Sequence, residues 1–242
     1  KHCTYSIGKP GIIASVEAVD VEGRRHELVT DDTWRVSVWE AFARAVPRRN
    51  WATAWMEWFD ARREPVGWQD TGFDDSSWSA AAVVDPGPMK MYPRIVPYLK
   101  EYAASPVGFV GAWSVPTMVP TMEELTPTLD REPLVPLSVS PTSFPLEVSS
   151  CEHGTAFAVD FGHEIAGQIE FEIESPEGVT VDFSPAENLR DGRPWCDRKG
   201  TNYAKRYTTR AARQVWRTFG YDGLRYVHVV VRGPHPEIVF HR

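Results

Sequence analysis

Residues Gly11 to Asp20, GIIASVEAVD, alternate apolar and polar side chains. VEGRRHELVT turns at Glu22-Gly23 and enters a second run that ends at Thr30. DDTWRVSVWE follows, with Trp34, Val36 and Val38 on one side. A period of two sends successive side chains to opposite faces of an extended strand, so each run reads as a half-buried strand. Glu40 to Arg63 is less regular, and AWMEWFDARRE fits a short helix or an irregular, tryptophan-rich edge.

The same period returns near Pro145. TAFAVDFG is one strand. In EIAGQIEFEIE, Ile165, Gly167, Ile169, Phe171 and Ile173 face one way, while Glu164, Gln168, Glu170, Glu172 and Glu174 mostly face water. SPEG supplies a turn, and VTVDFS is expected to return as its hairpin partner. AENLRDGRPWCDRKGTN reads as a long polar loop. YAKRYTTR, RQVWRTF and GLRYVHVVVRG are three further strands. Short strands with turns every eight to twelve residues predict an all-β chain of antiparallel sandwich or barrel type. Between the patterned regions, residues 85–145 hold 12 of the 20 prolines. Proline removes a donor and fixes the backbone, so this stretch is expected as an extended strap rather than sheet interior. Tyr92, Ile95, Tyr98, Phe109 and Trp113 interrupt it, which is unlike a flexible linker.

Composition narrows the function classes. The 242 residues, 42% of them hydrophobic, suffice for one large or two modest domains. Ten tryptophans are well above the usual share, and flat indoles suit sandwich cores and sugar faces alike. A net charge of −7 repels phosphate backbones, which argues against nucleic acid as a partner. No apolar run is long enough for a membrane-spanning helix. Three cysteines, Cys3, Cys151 and Cys196, make no disulfide framework, and no Asn-x-Ser/Thr sequon occurs. Both lean toward a cytoplasmic rather than a secreted protein. The chain opens on Lys1 and closes on PEIVFHR, and both ends read as interior sequence of a longer polypeptide.

Candidate chemistry is sparse. In GFDDSSW, Asp74 and Asp75 with Asp70 could hold a cation, share acid and base work on a sugar, or open a turn that seats Trp78. The spacing favours the turn: an aspartate accepts from a backbone N–H two residues on, and no closing bidentate Glu follows. Glu170, Glu172 and Glu174 form a solvated row on one strand face. Glu187, Asp191, Arg193, Trp195 and Asp197 gather in the long polar loop. Charged groups that bind hydroxyls beside an indole make these five the candidate carbohydrate contacts, with a loop of local ion pairs as the alternative. Trp51 is a second candidate indole. CEHG offers Cys151 and His153 as one ligand pair where zinc wants two, so no metal site is assigned. His228 alternates with Val227 and Val229, points away from their face, and is expected on the sheet surface. No phosphate loop, dinucleotide fingerprint or nucleophile elbow is present.

Several runs together resemble the accessory sandwiches of bacterial α-L-rhamnosidases, glycoside hydrolase family 78. They are LVTDDTWRVS, GWQDTGFDDSSWSAAAVV, YPRIVPYL, and the long run VDFGHEIAGQIEFEIESPEGVTVDFSPAENLRDGRP followed by RYTTR and VWRTFGYDGLRYVHVVVRG. The resemblance implies two antiparallel β-sandwich units of jelly-roll or concanavalin-like type joined by the Pro-rich strap. Residues 1–84 would be the C-terminal part of an N-terminal sandwich, 85–144 the connector, and 145–242 the concanavalin-like sandwich. It implies a parent enzyme that hydrolyses terminal α-L-rhamnose from glycosides with inversion, using acids in an (α/α)6 barrel outside this stretch. No catalytic residue and no cofactor carries over. The expected partners are that barrel and, through it, a rhamnose-containing glycoside. A stand-alone carbohydrate-binding module is the alternative.

Overall fold

The alternating runs become strands. The computed structural model describes residues 11–50, 54–85, 92–138, 140–149, 153–233 and 237–242. Cys3, Trp51 and Cys151 lie outside these. In chain order the first strands are β1 (Ser15–Val19), β2 (Arg25–Val29), β3 (Arg35–Val36), β4 (Trp58–Asp60) and β5 (Ser79–Ala80). Next come β6 (Gly108–Val115), the short helix α1 (Leu125–Arg131), β7 (Val135–Pro136) and β8 (Leu146–Ser149). The remainder are β9 (Gly154–Gly167), β10 (Glu170–Ser175), β11 (Thr180–Ala186), β12 (Leu189–Arg190), β13 (Arg193–Pro194), β14 (Lys205–Thr208), β15 (Ala212–Arg217), β16 (Asp222–Arg232) and β17 (Glu237–Phe240). Two compact units result, Lys1–Trp39 with Pro65–Glu101, and Glu40–Glu64 with Tyr102–Arg242.

In the first unit, β1 and β2 pair antiparallel across a turn that Asp20 organises. Its carboxylate accepts the N–H groups of Glu22 and Arg24 at 3.0 and 2.8 Å. β3 pairs with β5. Between them Asp74 accepts the N–H of Ser76 at 3.0 Å, and the N–H of Trp78 donates to the Asp75 carbonyl at 2.8 Å. Trp78 is half-buried, its ring centroid 5.6 Å from that of Phe73. The Arg35 guanidinium donates to the Trp78 carbonyl at 3.1 Å. The aspartates therefore serve a turn, as their spacing predicts.

The second unit is a two-layer sandwich. One sheet runs β4-β14-β11-β16-β9-β6-β7, the other β15-β10-β17-β8. Alternate residues of facing strands fill the space between: Phe157 and Val159, Val181 and Phe183, Val227, Val229 and Val231 from the larger sheet, and Phe171, Ile173, Trp216, Ile238 and Phe240 from the smaller. Burying each such side chain contributes roughly 1.5–3 kcal/mol. Phe171 meets the rings of Phe183 and Tyr207 edge-on at 5.8 and 5.3 Å, the preferred aromatic geometry.

Several expectations need correction. EIAGQIEFEIE is not one strand. β9 ends at Gly167 in the larger sheet and β10 starts at Glu170 in the smaller, so the chain changes layer while Ile165, Ile169, Phe171 and Ile173 all keep facing the shared core. VTVDFS does not pair back on β10; as β11 it pairs with β14 and β16, and SPEG carries the chain between layers. The pairing is not wholly antiparallel, because β4 lies parallel to β14, as strands distant in sequence are free to do. Part of the Pro-rich stretch is sheet interior: β6 pairs with β9 and β7. Its prolines stand outside β6, so no ladder donor is lost there. His228 is not on the surface; it is wholly buried, because a second layer covers the outer face of the larger sheet.

Candidate functional site

That second layer is built by α1 and by the segment that joins β11 to β14. β11 sends Val181 and Phe183 into the sandwich core, so Asp182 and Ser184 face outward, beside His228 and Arg232 of the paired β16. Leu125 and Leu129 of α1 seal this face together with Met56, Val115, Cys196 and Val230. Charges buried there are matched. Arg206 grips Asp182 with two bonds of 2.6 and 3.0 Å, and Arg232 reaches Asp182 at 3.0 Å and Glu132 at 2.5 Å. Burial raises the Glu132 carboxyl above its ordinary range, with Arg232 opposing. Burial likewise pushes the Cys196 thiol up to about 12 and His228 down to about 3, the latter helped by Arg193 and Arg232.

The five loop residues take separate places in this layer. Asp191 and Gly192, with φ of 52° and 77°, form the two-residue turn between β12 and β13. Positive φ at both positions is the twist-matched hairpin turn that Asp-Gly favours. Arg193 donates to the carbonyls of Glu132 and Leu129 at 2.8 and 2.6 Å, satisfying the free end of α1. Trp195 is half-buried, with the guanidiniums of Arg190 and Arg198 5.1 and 6.0 Å from its ring centre. Asp197 accepts from Arg131 at 2.8 Å, and the N–H groups of Cys196 and Asp197 both donate to the buried Asp130. Asp191, Arg193 and Asp197 thus hold the layer together.

Glu187 stands elsewhere. It pairs with Arg198 and lines an open polar cleft of about 250 Å³ together with Lys199, Thr201 and Tyr203. Asn202 fixes this loop, donating from its N–H to the Arg49 carbonyl at 2.8 Å and from its amide to the Arg48 carbonyl at 2.9 Å. Asp222 holds both Arg49 and the buried Lys205; burial lowers the lysine's pKa and Asp222 opposes the shift. The Arg49 guanidinium stacks on Tyr203, 5.4 Å from its ring centre. Next to Glu187 the sheet carries Gly223. A Cβ there would lie 3.8 Å from a Glu187 carboxylate oxygen and 3.9 Å from one of Glu164. Glu164, Gly223 and the exposed Tyr221 nearby are not suggested by the loop's composition. Glu164 and Gly223 arrive through the pairing of β9 with β16, where Gly223 opposes Ala166. Among the described residues no group of three or more His, Cys, Asp or Glu could hold a metal ion. No described helix is long and apolar enough to cross a membrane.

Comparison with known proteins places this layer in context. A family model described as the α-L-rhamnosidase N-terminal domain matches residues 1–100, and one described as the bacterial α-L-rhamnosidase concanavalin-like domain matches residues 152–239. No curated protein sequence matches the chain. Among solved structures, the α-L-rhamnosidase from Dictyoglumus thermophilum matches at 17% identity with a TM-score of 0.53, over 95% of this chain and 22% of that one. That likeness shows a shared fold. The family 78 rhamnosidase of Bacillus sp. GL1 is 29% identical over 46% of this chain and 12% of its own, with a TM-score of 0.38. The Streptomyces avermitilis α-L-rhamnosidase complexed with L-rhamnose is 18% identical over 92% of this chain and 19% of its own, with a TM-score of 0.46. The chain spans less than a quarter of the length of each of these enzymes.

Proposed function

The chain belongs to the bacterial α-L-rhamnosidase family, of which it carries the N-terminal and concanavalin-like domains, and from that premise we propose that it is the non-catalytic portion of an α-L-rhamnosidase-type glycoside hydrolase. The parent enzyme releases terminal α-L-rhamnose from glycosides with inversion, on acids of a helical barrel that these domains brace. One observation carries the reading for the second unit. Among the described residues its buried acids are each held by a cation: Asp60 by Arg62, Asp182 by Arg206 and Arg232, Glu132 by Arg232, Asp222 by Arg49 and Lys205, and Asp130 by Arg190. Glycoside hydrolysis needs two carboxyl groups about 5–10 Å apart across a bound sugar, one of them free to give up a proton. Carboxylates locked to guanidinium or ammonium groups under a covering layer suit a rigid support instead.

The test is an assay of these 242 residues with an aryl α-L-rhamnoside, beside the full-length parent. The expected result is turnover by the parent and none by this chain. Turnover by the chain alone, abolished by a single Asp or Glu substitution in it, overturns the proposal.

A further inference from the structure

The bare patch around Gly223 is built like a small ligand site. Its floor is sheet backbone, because Gly223 is exposed and carries no side chain. Glu187 and Glu164 flank that floor, each within 4 Å of the point where a Cβ would stand. Glu187 also lines the adjoining open cleft of about 250 Å³ with Arg198, Lys199, Thr201 and Tyr203, which is room for a single sugar ring. Tyr221 stands two residues before Gly223, just ahead of β16, and is 73% exposed. The turn that carries it is held rigidly. Glu57 accepts the N–H groups of Phe219 and Gly220 at 2.8 and 3.1 Å, and the Gln168 amide donates to the carbonyls of Thr218 and Phe219 at 2.8 and 3.0 Å. An exposed aromatic ring on a pre-ordered turn costs little entropy to use in binding.

Charge decides the ligand class. Two carboxylates face one guanidinium and one ammonium, and Glu187 is already paired with Arg198. Such a wall has no net preference for an anion or a cation. It offers fixed acceptors and donors side by side, which match vicinal hydroxyl groups, while an aromatic face stacks on the C–H side of a sugar ring. We infer that the cleft lined by Glu187, Arg198 and Tyr203, together with the adjoining bare patch of Gly223 and Glu164 and the exposed Tyr221 two residues before it, binds a neutral pyranose ring, free or at the end of a glycoside. The site itself follows from this geometry; the choice of rhamnose as first sugar rests on the family reading.

Amide and methyl NMR shifts of the 242-residue chain test this, titrated with L-rhamnose, methyl α-L-rhamnoside, D-glucose and D-mannose at millimolar concentrations. The expected result is saturable shifts confined to residues 164–167, 198–203 and 220–224. Tyr221→Ala and Glu187→Gln should each weaken binding about tenfold, and Tyr221→Phe should retain it. Gly223→Val, a β-branched residue that a strand accepts, should abolish it by filling the floor. A methyl rhamnoside that binds more tightly than free rhamnose assigns the site to glycoside ends; the reverse assigns it to released sugar. Shifts with glucose or mannose and none with the rhamnosides keep the site and count against the family-derived sugar. Absence of saturable shifts with all four sugars overturns the inference. So does concentration-dependent self-association that Tyr221→Ala dissolves, because the ring then serves a protein contact.

Discussion

Arg232 donates to Asp182 at 3.0 Å with neither side chain exposed to solvent. The pair lies between the larger sheet and the layer that covers it, and Arg206 and Glu132 complete the arrangement. Desolvating four charged groups is costly, and only their mutual contacts offset it. Removing the shared acid strands the Arg206 guanidinium and leaves Arg232 with Glu132 as its one acid. Asp182→Ala is therefore expected to destabilise the second unit by about 3–5 kcal/mol, read as a lowered urea midpoint at unchanged slope. A loss below about 1 kcal/mol would mean that water reaches the arginines and the layer does not seal.

Arg193 tests how the layer is held on. Its guanidinium spans the carbonyls of Leu129 and Glu132 at the end of α1. Arg193→Ala should cost about 1–3 kcal/mol, with the loss concentrated in hydrogen-exchange protection of residues 125–132. Arg193→Lys should recover less than half, because an ammonium cannot hold two carbonyls with a planar fork. Equal behaviour of the two variants would show that charge alone matters.

Much of this was legible in the sequence, for a clear physical reason. Alternation reports which side chains share a face, and Ile165, Ile169, Phe171 and Ile173 do face one core. It does not report which sheet the strand pairs in, so the change of layer near Gln168 was hidden. Nor does it report whether the opposite face is covered, and so alternation alone puts His228 on the surface. The cover had a signal: Met122, Leu125 and Leu129 recur at helical spacing and pack together, but Pro127 and the surrounding prolines masked it. Asp191-Gly192 also announced a hairpin turn inside the supposed loop. At the cleft, Glu187 could be picked out from local composition. Gly223 and Glu164 could not, since only the register of β9 against β16 brings them beside Glu187.

Cys196 gives a probe of the covering layer. The thiol is wholly buried and its pKa is pushed up to about 12 by that burial. The thiolate is the nucleophile, so folded protein at pH 8 should leave Cys196 unmodified by iodoacetamide while denatured protein reacts fully. Peptide mass spectrometry across a urea series should show its modification rising with the unfolding transition of the second unit. Modification well before that transition would mean that the layer opens independently of the sheets.

His228 sets an acid limit on the fold. Both ring nitrogens are buried without a hydrogen-bond partner, and Trp113 lies against the ring at 6.1 Å between centroids. Burial, Arg193 and Arg232 lower its pKa from 6.5 to about 3, and Asp130 opposes them only in part. The folded protein thus keeps this ring neutral where the unfolded chain protonates it. Between the two pKa values the unfolded state binds the extra proton, so stability is fully present above pH 6.5 and is lost as pH falls toward 3. At pH 5 the loss is about 2 kcal/mol, a figure fixed mainly by the unfolded value, since the folded ring is still neutral there. His228→Leu removes the titration and two unpaired polar atoms while keeping an apolar filling. The variant should match or exceed the parent at pH 7.5 and gain on it by about 2 kcal/mol at pH 5, measured from urea midpoints at each pH. Parallel pH profiles for the two proteins would show that the ring finds a partner able to stabilise its charge.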